Sequence, residues 1–220
     1  MNKKKLVSLC LVLALAITAA IGGTMAYFTD EEEVTNTFTV GNVDITLDEA
    51  IVDEYGVPTT DQQGNTRTEE GNNNQVNGEY KIIPGHTYTK DPTVTVEKGS
   101  EPSYVRMFVT INEQAALDTI FAPGKPLNEF FLNYDNTKWQ YVDVEYDGDE
   151  ATYEFRYFEV VDARTAVKEL TPLFTNIKVP SDLEYDDIKD LNLQIDVVAQ
   201  AIQADTLTTA DAAWDAFDAQ

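Results

Sequence analysis

Along most of the chain apolar side chains recur at every second position, which is the spacing of half-buried β-strands. Thr37-Phe38-Thr39-Val40 and Val43-Asp44-Ile45-Thr46-Leu47 alternate in this way and are rich in β-formers, with Gly41-Asn42 breaking the run between them. Thr93–Val96 alternates likewise, and Tyr104–Ile111 has the composition of a buried strand. Trp139–Tyr146 and Thr152–Val161 form a pair across Asp147-Gly148-Asp149-Glu150, a turn sequence suited to a hairpin. Leu173–Val179 and Leu191–Val198 supply two more, so roughly eight or nine strands are predicted, the number found in β-sandwiches, jelly rolls and barrels. Helix is a minority. Glu113–Phe121 is predicted as a short surface helix closed by Pro123-Gly124, and Asp182–Asp190 as another with Ser181 as its cap. Thr209–Ala219 sets Ala210, Ala213, Trp214 and Phe217 at helical spacing, so this tail is expected to dock on the sheets through Trp214 and Phe217.

Two segments depart from the alternation. Lys3-Lys4-Lys5 precedes an apolar run, Leu6 to Ile21, broken only by Ser8, Cys10 and Thr18. Gly22-Gly23 ends that run, and Thr24-Met25-Ala26 sets small residues where a signal peptidase needs them. Residues 1–26 therefore read as an export signal cleaved after Ala26, with Tyr27 the next candidate. Residues 27–220 are then one β-sandwich-sized domain. The second departure is Thr59–Glu79, dominated by Asn, Gln, Gly, Thr and Glu, with Val76 its one large apolar side chain. It reads as a long polar, flexible loop inside the domain. There is no internal repeat, which argues against solenoids and propellers.

Charge narrows the partners. The 220 residues carry 39 acidic and 15 basic side chains, a net charge of −24. Residues 1–26 hold three of the lysines and no acid, so removing them leaves 12 basic against 39 acidic and a net charge of −27. Such a surface does not favour nucleic acid or anionic lipid, and contact with the membrane is expected only through the uncleaved signal. Cys10, the one cysteine, lies in the signal, so the exported chain forms no disulfide and no zinc–thiolate site.

Catalytic signatures are scarce. The only histidine, His86, sits in Pro84-Gly85-His86-Thr87 and reads as an exposed turn residue. A zinc helix with paired histidines is excluded, and there is no Gly-x-Ser-x-Gly elbow. Asp143, Glu145, Asp147, Gly148 and Glu154 fall at positions 1, 3, 5, 6 and 12 of an EF-hand loop, but their flanks alternate like strands. The acidic hairpin Asp143, Glu145, Asp147 and Asp149 is left as a weak candidate cation site, with calcium as its occupant, because a divalent ion relieves the repulsion among its carboxylates. No other cofactor is expected, and no catalytic residue is assigned.

The leader end Gly22-Gly23-Thr24-Met25-Ala26-Tyr27-Phe28-Thr29-Asp30, followed by Asn36-Thr37-Phe38-Thr39-Val40-Gly41-Asn42-Val43-Asp44-Ile45, resembles the TasA/camelysin family. Further likenesses are Ile83-Pro84-Gly85, Ser103-Tyr104-Val105-Arg106, Thr171-Pro172-Leu173-Phe174, and Ala199–Ala204 with Ala213-Trp214 after it. The resemblance implies a mainly all-β, jelly-roll-like antiparallel sandwich with a few short helices. It also implies export through a SipW-type signal peptidase of Gram-positive bacteria, and assembly into biofilm matrix fibres by donor-strand exchange. The self-partnered arm is then residues 27–40, with Tyr27, Phe28, Val34, Phe38 and Val40 as its donor side chains, and an accessory matrix anchor protein as a further partner. Two features depart from the family: His86, where an acid is more usual, and the 59–79 loop, which looks like an insertion. The competing expectations are a camelysin-like extracellular metalloendopeptidase and a monomeric surface adhesin using that loop.

Overall fold

A computed structural model describes residues 29–33, 36–40, 43–68, 82–120, 125–130, 133–204 and 209–219. Its eleven strands are β1 Thr29–Glu33, β2 Asn36–Val40, β3 Ile45–Asp48, β4 Thr87–Thr89, β5 Thr93–Val96, β6 Ser103–Ile111, β7 Trp139–Asp147, β8 Glu150–Tyr157, β9 Lys168–Glu169, β10 Asn176–Lys178 and β11 Ile195–Gln203. The short helices are α1 Gln114–Ile120, α2 Leu127–Phe130, α3 Tyr185–Ile188 and α4 Ala210–Asp218. The strands form a six-stranded sheet in the order β2-β1-β11-β6-β8-β7, a three-stranded sheet β3-β5-β9 and a two-stranded sheet β10-β4. Every pairing is antiparallel, as the alternating pattern requires.

The inner face of the large sheet is written in one parity of three strands. Val105, Met107 and Val109 of β6 lie opposite Ala201, Ala199 and Val197 of β11. Met107, Val109 and Ile111 lie opposite Phe155, Tyr153 and Ala151 of β8. All of these are buried, and they join Ile45, Val94 and Val96 of the three-stranded sheet in one core. Leu173 and Phe174 complete that core from a loop, because the expected strand from Leu173 to Val179 forms only over Asn176–Lys178. Trp139 is buried beside them, and its indole N–H donates to the Thr171 carbonyl at 2.9 Å.

Several boundaries differ from the sequence expectation. The second strand of the hairpin stops at Tyr157, leaving Phe158 and Val160 exposed before Val161 pairs alone with Ser103. The last strand runs later than expected, over Ile195–Gln203, because two-sided burial rather than alternation marks its end. The helix expected over Asp182–Asp190 is the single turn Tyr185–Ile188, capped by Glu184 and not Ser181. Thr209 does cap α4, accepting from the Ala212 N–H. Strands β1, β4 and β9 carry too few apolar residues to be read from alternation.

The first part of the polar 59–79 segment, up to Thr68, is held to the body, and its remainder from residue 69 lies outside the described residues. Arg67 pairs alone with Ala50 in a β-bridge and forms ion pairs with Asp48 and Asp91. Nearby, Gly56 has φ +68°, and its carbonyl accepts from the Thr89 N–H; a Cβ there would sit 2.7 Å from the Tyr88 backbone. Beside it Lys90 and Glu49 form a buried ion pair, with Nζ 2.9 Å from both carboxylate oxygens. Losing one partner of such a pair strands a buried charge, whereas replacing both by apolar groups removes the desolvation cost as well. Glu49→Ala is therefore expected to lower stability by about 3–5 kcal/mol, and the double replacement Glu49→Leu with Lys90→Met by much less, as measured by urea denaturation.

Candidate functional site at the arm-bearing sheet edge

The residues ahead of the core form an N-terminal hairpin along one side of the large sheet. β1 pairs with β11, setting Thr29, Asp30, Glu31 and Glu32 opposite Ile202, Ala201, Gln200 and Ala199. The chain then reverses, and β2 pairs with β1 through Thr29–Val40, Glu31–Phe38 and Glu33–Asn36. Of the expected donor residues, Phe38 and Val40 thus lie on the chain's own sheet edge. Tyr27, Phe28 and Val34, like the 1–26 signal and the cleavage point at Ala26 and Tyr27, lie outside the described residues.

Two properties set this edge apart. β1 reads Thr-Asp-Glu-Glu-Glu, four acids in a strand of five, and acidic residues are among those depleted in strands. Its register sets Asp30 and Glu32 against Ala201 and Ala199, positions of β11 that belong to the core. The second property is parity. Phe28, Val34, Phe38 and Val40 are all at even positions, so a single extended strand would carry them on one face, together with Asp30, Glu32 and Asn36. The hairpin undoes that stripe: the even residues of β2 sit opposite the odd residues of β1, whereas the even residues of β1 sit opposite Ala199 and Ala201.

The outer face of β11 next to the arm is covered by α4. Arg106 of β6 is buried, yet its guanidinium is fully engaged. Nε donates to Gln200 Oε1 at 2.7 Å, and the two terminal nitrogens grip Asp218 in a fork. Its cation lies 4.3 Å from the Trp214 ring centroid, 5.1 Å from Phe217 and 4.7 Å from Phe108. On the neighbouring strand Arg156 donates to Glu154 and to Asp211 of α4. Ile202, Ala213 and Trp214 form an apolar cluster separate from the main core. The buried Trp214 indole N–H has no hydrogen-bond partner among the described residues, a cost that offsets part of the helix's docking.

The acidic hairpin is built differently from a metal loop. Gly148, with φ +64°, and Asp149 make a two-residue turn between Asp147 and Glu150. A bulge interrupts pairing between Tyr141 and Asp143. Asp149 turns inward to α1, its carboxylate accepting from the Ala115 N–H and its carbonyl from the Gln114 N–H. The Asp143 carboxylate accepts from the Val144 N–H. Among the described residues no three His, Cys, Asp or Glu side chains lie together as a metal would require. His86 is half-buried rather than an open turn residue, with Nε2 2.6 Å from the Tyr55 carbonyl and its ring edge-on to Tyr88.

A few ionisable groups are shifted by their surroundings. Hydrogen bonds from the Thr137 hydroxyl and N–H hold the Asp135 carboxyl below its ordinary range. Burial pushes the Tyr153 phenol well above its usual value, and its hydroxyl donates to Gln114. These groups brace α1 and the β7 entry.

The geometry defines an antiparallel β-sandwich whose sheet edge is occupied by its own N-terminal hairpin. Residues 2–58, which contain that hairpin, match the model of the family described as camelysin metallo-endopeptidase. The match spans 57 of the 220 residues, and it bears out the TasA/camelysin resemblance over the leader, the arm and β3. No curated protein and no solved structure matches the chain. The family match is consistent with a secreted or cell-surface protein, and among the described residues no helix is long and apolar enough to cross a membrane.

Asp149 supplies the side-chain acceptor at the start of α1, so Asp149→Ala is expected to cost about 0.5–2 kcal/mol and Asp149→Asn much less. Urea denaturation of the two variants, side by side, checks this.

Proposed function

We propose that the chain is an exported structural protein that polymerises into extracellular matrix fibres by donor-strand exchange of residues 27–40. The supporting observation is the split apolar stripe. Folded back, the hairpin sets Phe38 and Val40 opposite Glu31 and Thr29; extended along a neighbour's edge, the arm aligns Phe28, Val34, Phe38 and Val40 on one face, with Asp30 and Glu32 between them. Removal of the leader by a SipW-type signal peptidase releases the arm from the membrane. A strand added to another subunit forms main-chain hydrogen bonds worth about 0.5–1.5 kcal/mol each and buries aromatic side chains the hairpin divides. These gains are set against the ordering and association costs of adding a subunit. An accessory matrix anchor protein is the remaining partner in this scheme, and a weakly held calcium ion would act by reducing repulsion.

The family description also names a metallo-endopeptidase. The described residues do not fit such a centre: no three ligand-type side chains lie together, and the one histidine is bound to a backbone carbonyl.

Mature protein starting at Tyr27 is expected to form fibres visible by negative stain, and deletion of Tyr27–Val34 to abolish them. Phe38→Asp should block fibres while leaving the urea midpoint nearly unchanged, because β2 is an outer edge strand. Full-length fibres from the deleted chain would overturn the proposal. At a net charge of −27 subunits repel across a Debye length of ~30 Å at 0.01 M salt but only ~8 Å at 0.15 M. Light scattering should therefore show assembly quickening as salt rises, and flat or falling rates would contradict that.

A further inference from the structure

We propose that α4 is a releasable latch that sets how firmly β11 holds the arm, an inference resting on the arm being the exchanging segment. The coupling lies in shared residues. Gln200, tied to Arg106, is the register partner of Glu31, and Ile202, covered by Trp214, is the register partner of Thr29. The same two positions of β11 therefore carry the helix on one side of the chain and the arm along its edge.

The latch is electrostatic, with an aromatic insert. Arg106 and Arg156 stand directly opposite one another on β6 and β8, a pairing of like charges that destabilises a sheet unless it is compensated. Glu154 lies 3.5 Å from Arg106 and 2.6 Å from Arg156. The other two carboxylates come from opposite ends of α4: Asp211 reaches Arg156, and Asp218 reaches Arg106. Both helix acids are largely exposed, 87% and 55%, so salt reaches them although it does not reach buried Arg106. Because Ile202, Ala213 and Trp214 pack outside the main core, α4 can leave without opening that core. Its departure leaves two adjacent arginines sharing Glu154, bares Ile202, and removes the support under the β11 residues on which Thr29 and Glu31 pair.

Hydrogen exchange of the monomeric chain starting at Tyr27, kept dilute so that no fibres form, tests this independently of assembly. In the double variant Asp211→Asn with Asp218→Asn, amides of Thr29–Glu33 and of α4 should exchange about tenfold faster, while those of β5 stay as before. Asp218→Glu should restore much of the protection. Salt raised from about 0.02 to about 0.5 M should produce the same paired loosening in the unaltered chain, which serves if the double variant does not fold. Faster exchange in α4 with the arm unchanged would overturn the proposal, as would an arm without protection in the unaltered chain. Either result leaves the arm-deletion test of fibre formation untouched.

Discussion

A β-sheet edge must be covered, charged or twisted out of use, and the six-stranded sheet deals with its two sides by different means. At β7 the edge is defended in place: a bulge breaks the register, and Asp143, Glu145 and Asp147 line the strand that ends in the acidic turn. At β11 there is no such defence. β11 is buried at five of its nine positions and would present a small-residue edge at Ala199 and Ala201. The N-terminal hairpin covers that edge, yet its first strand is four-fifths carboxylate. The functional proposal turns on whether this same acidic strand covers the edge in cis or in trans, since the mismatch with Ala199 and Ala201 is the same in either case.

The core makes the mismatch tolerable. β6, lying between β11 and β8, holds the inner face with Val105, Met107, Val109 and Ile111, none of them exposed. The polar scaffolding around it works similarly: Lys90 with Glu49, and Arg67 between Asp48 and Asp91, tie the second layer to the segment ahead of residue 69. In a chain with so large an excess of acid, Arg67, Lys90, Arg106 and Arg156 are each committed to holding elements together.

Alternation made the body legible. Thr93–Val96 coincides with β5, Tyr104–Ile111 falls one residue short of β6, and the acidic turn between β7 and β8 was readable from Gly148 with its neighbouring acids. The tail helix was equally plain, since Ala213, Trp214 and Phe217 fall on one helical face and Thr209 caps it. What alternation missed lacks apolar residues: β1 is acidic, β9 is Lys168-Glu169, and β4 is held by Tyr88 alone. Burial on both faces hid the end of β11, where Gln200 and Ile202 are buried along with Ala199 and Ala201. At the candidate site, residues 27–40 stood out as an arm only through family likeness. The role of Arg106 was not readable at all, because its partners Gln200 and Asp218 lie 94 and 112 residues away.

The most direct measurement uses the absence of cysteine after residue 10. Glu32→Cys is placed in one population of the chain starting at Tyr27 and Ala199→Cys in another, two positions that the register sets opposite each other. The populations are mixed, assembled in saline and oxidised. If arms pass between subunits, a disulfide-linked pair of chains accumulates in the fibres and is absent from dilute monomer. Fibres that form and oxidise without any such cross-link between chains would contradict the exchange.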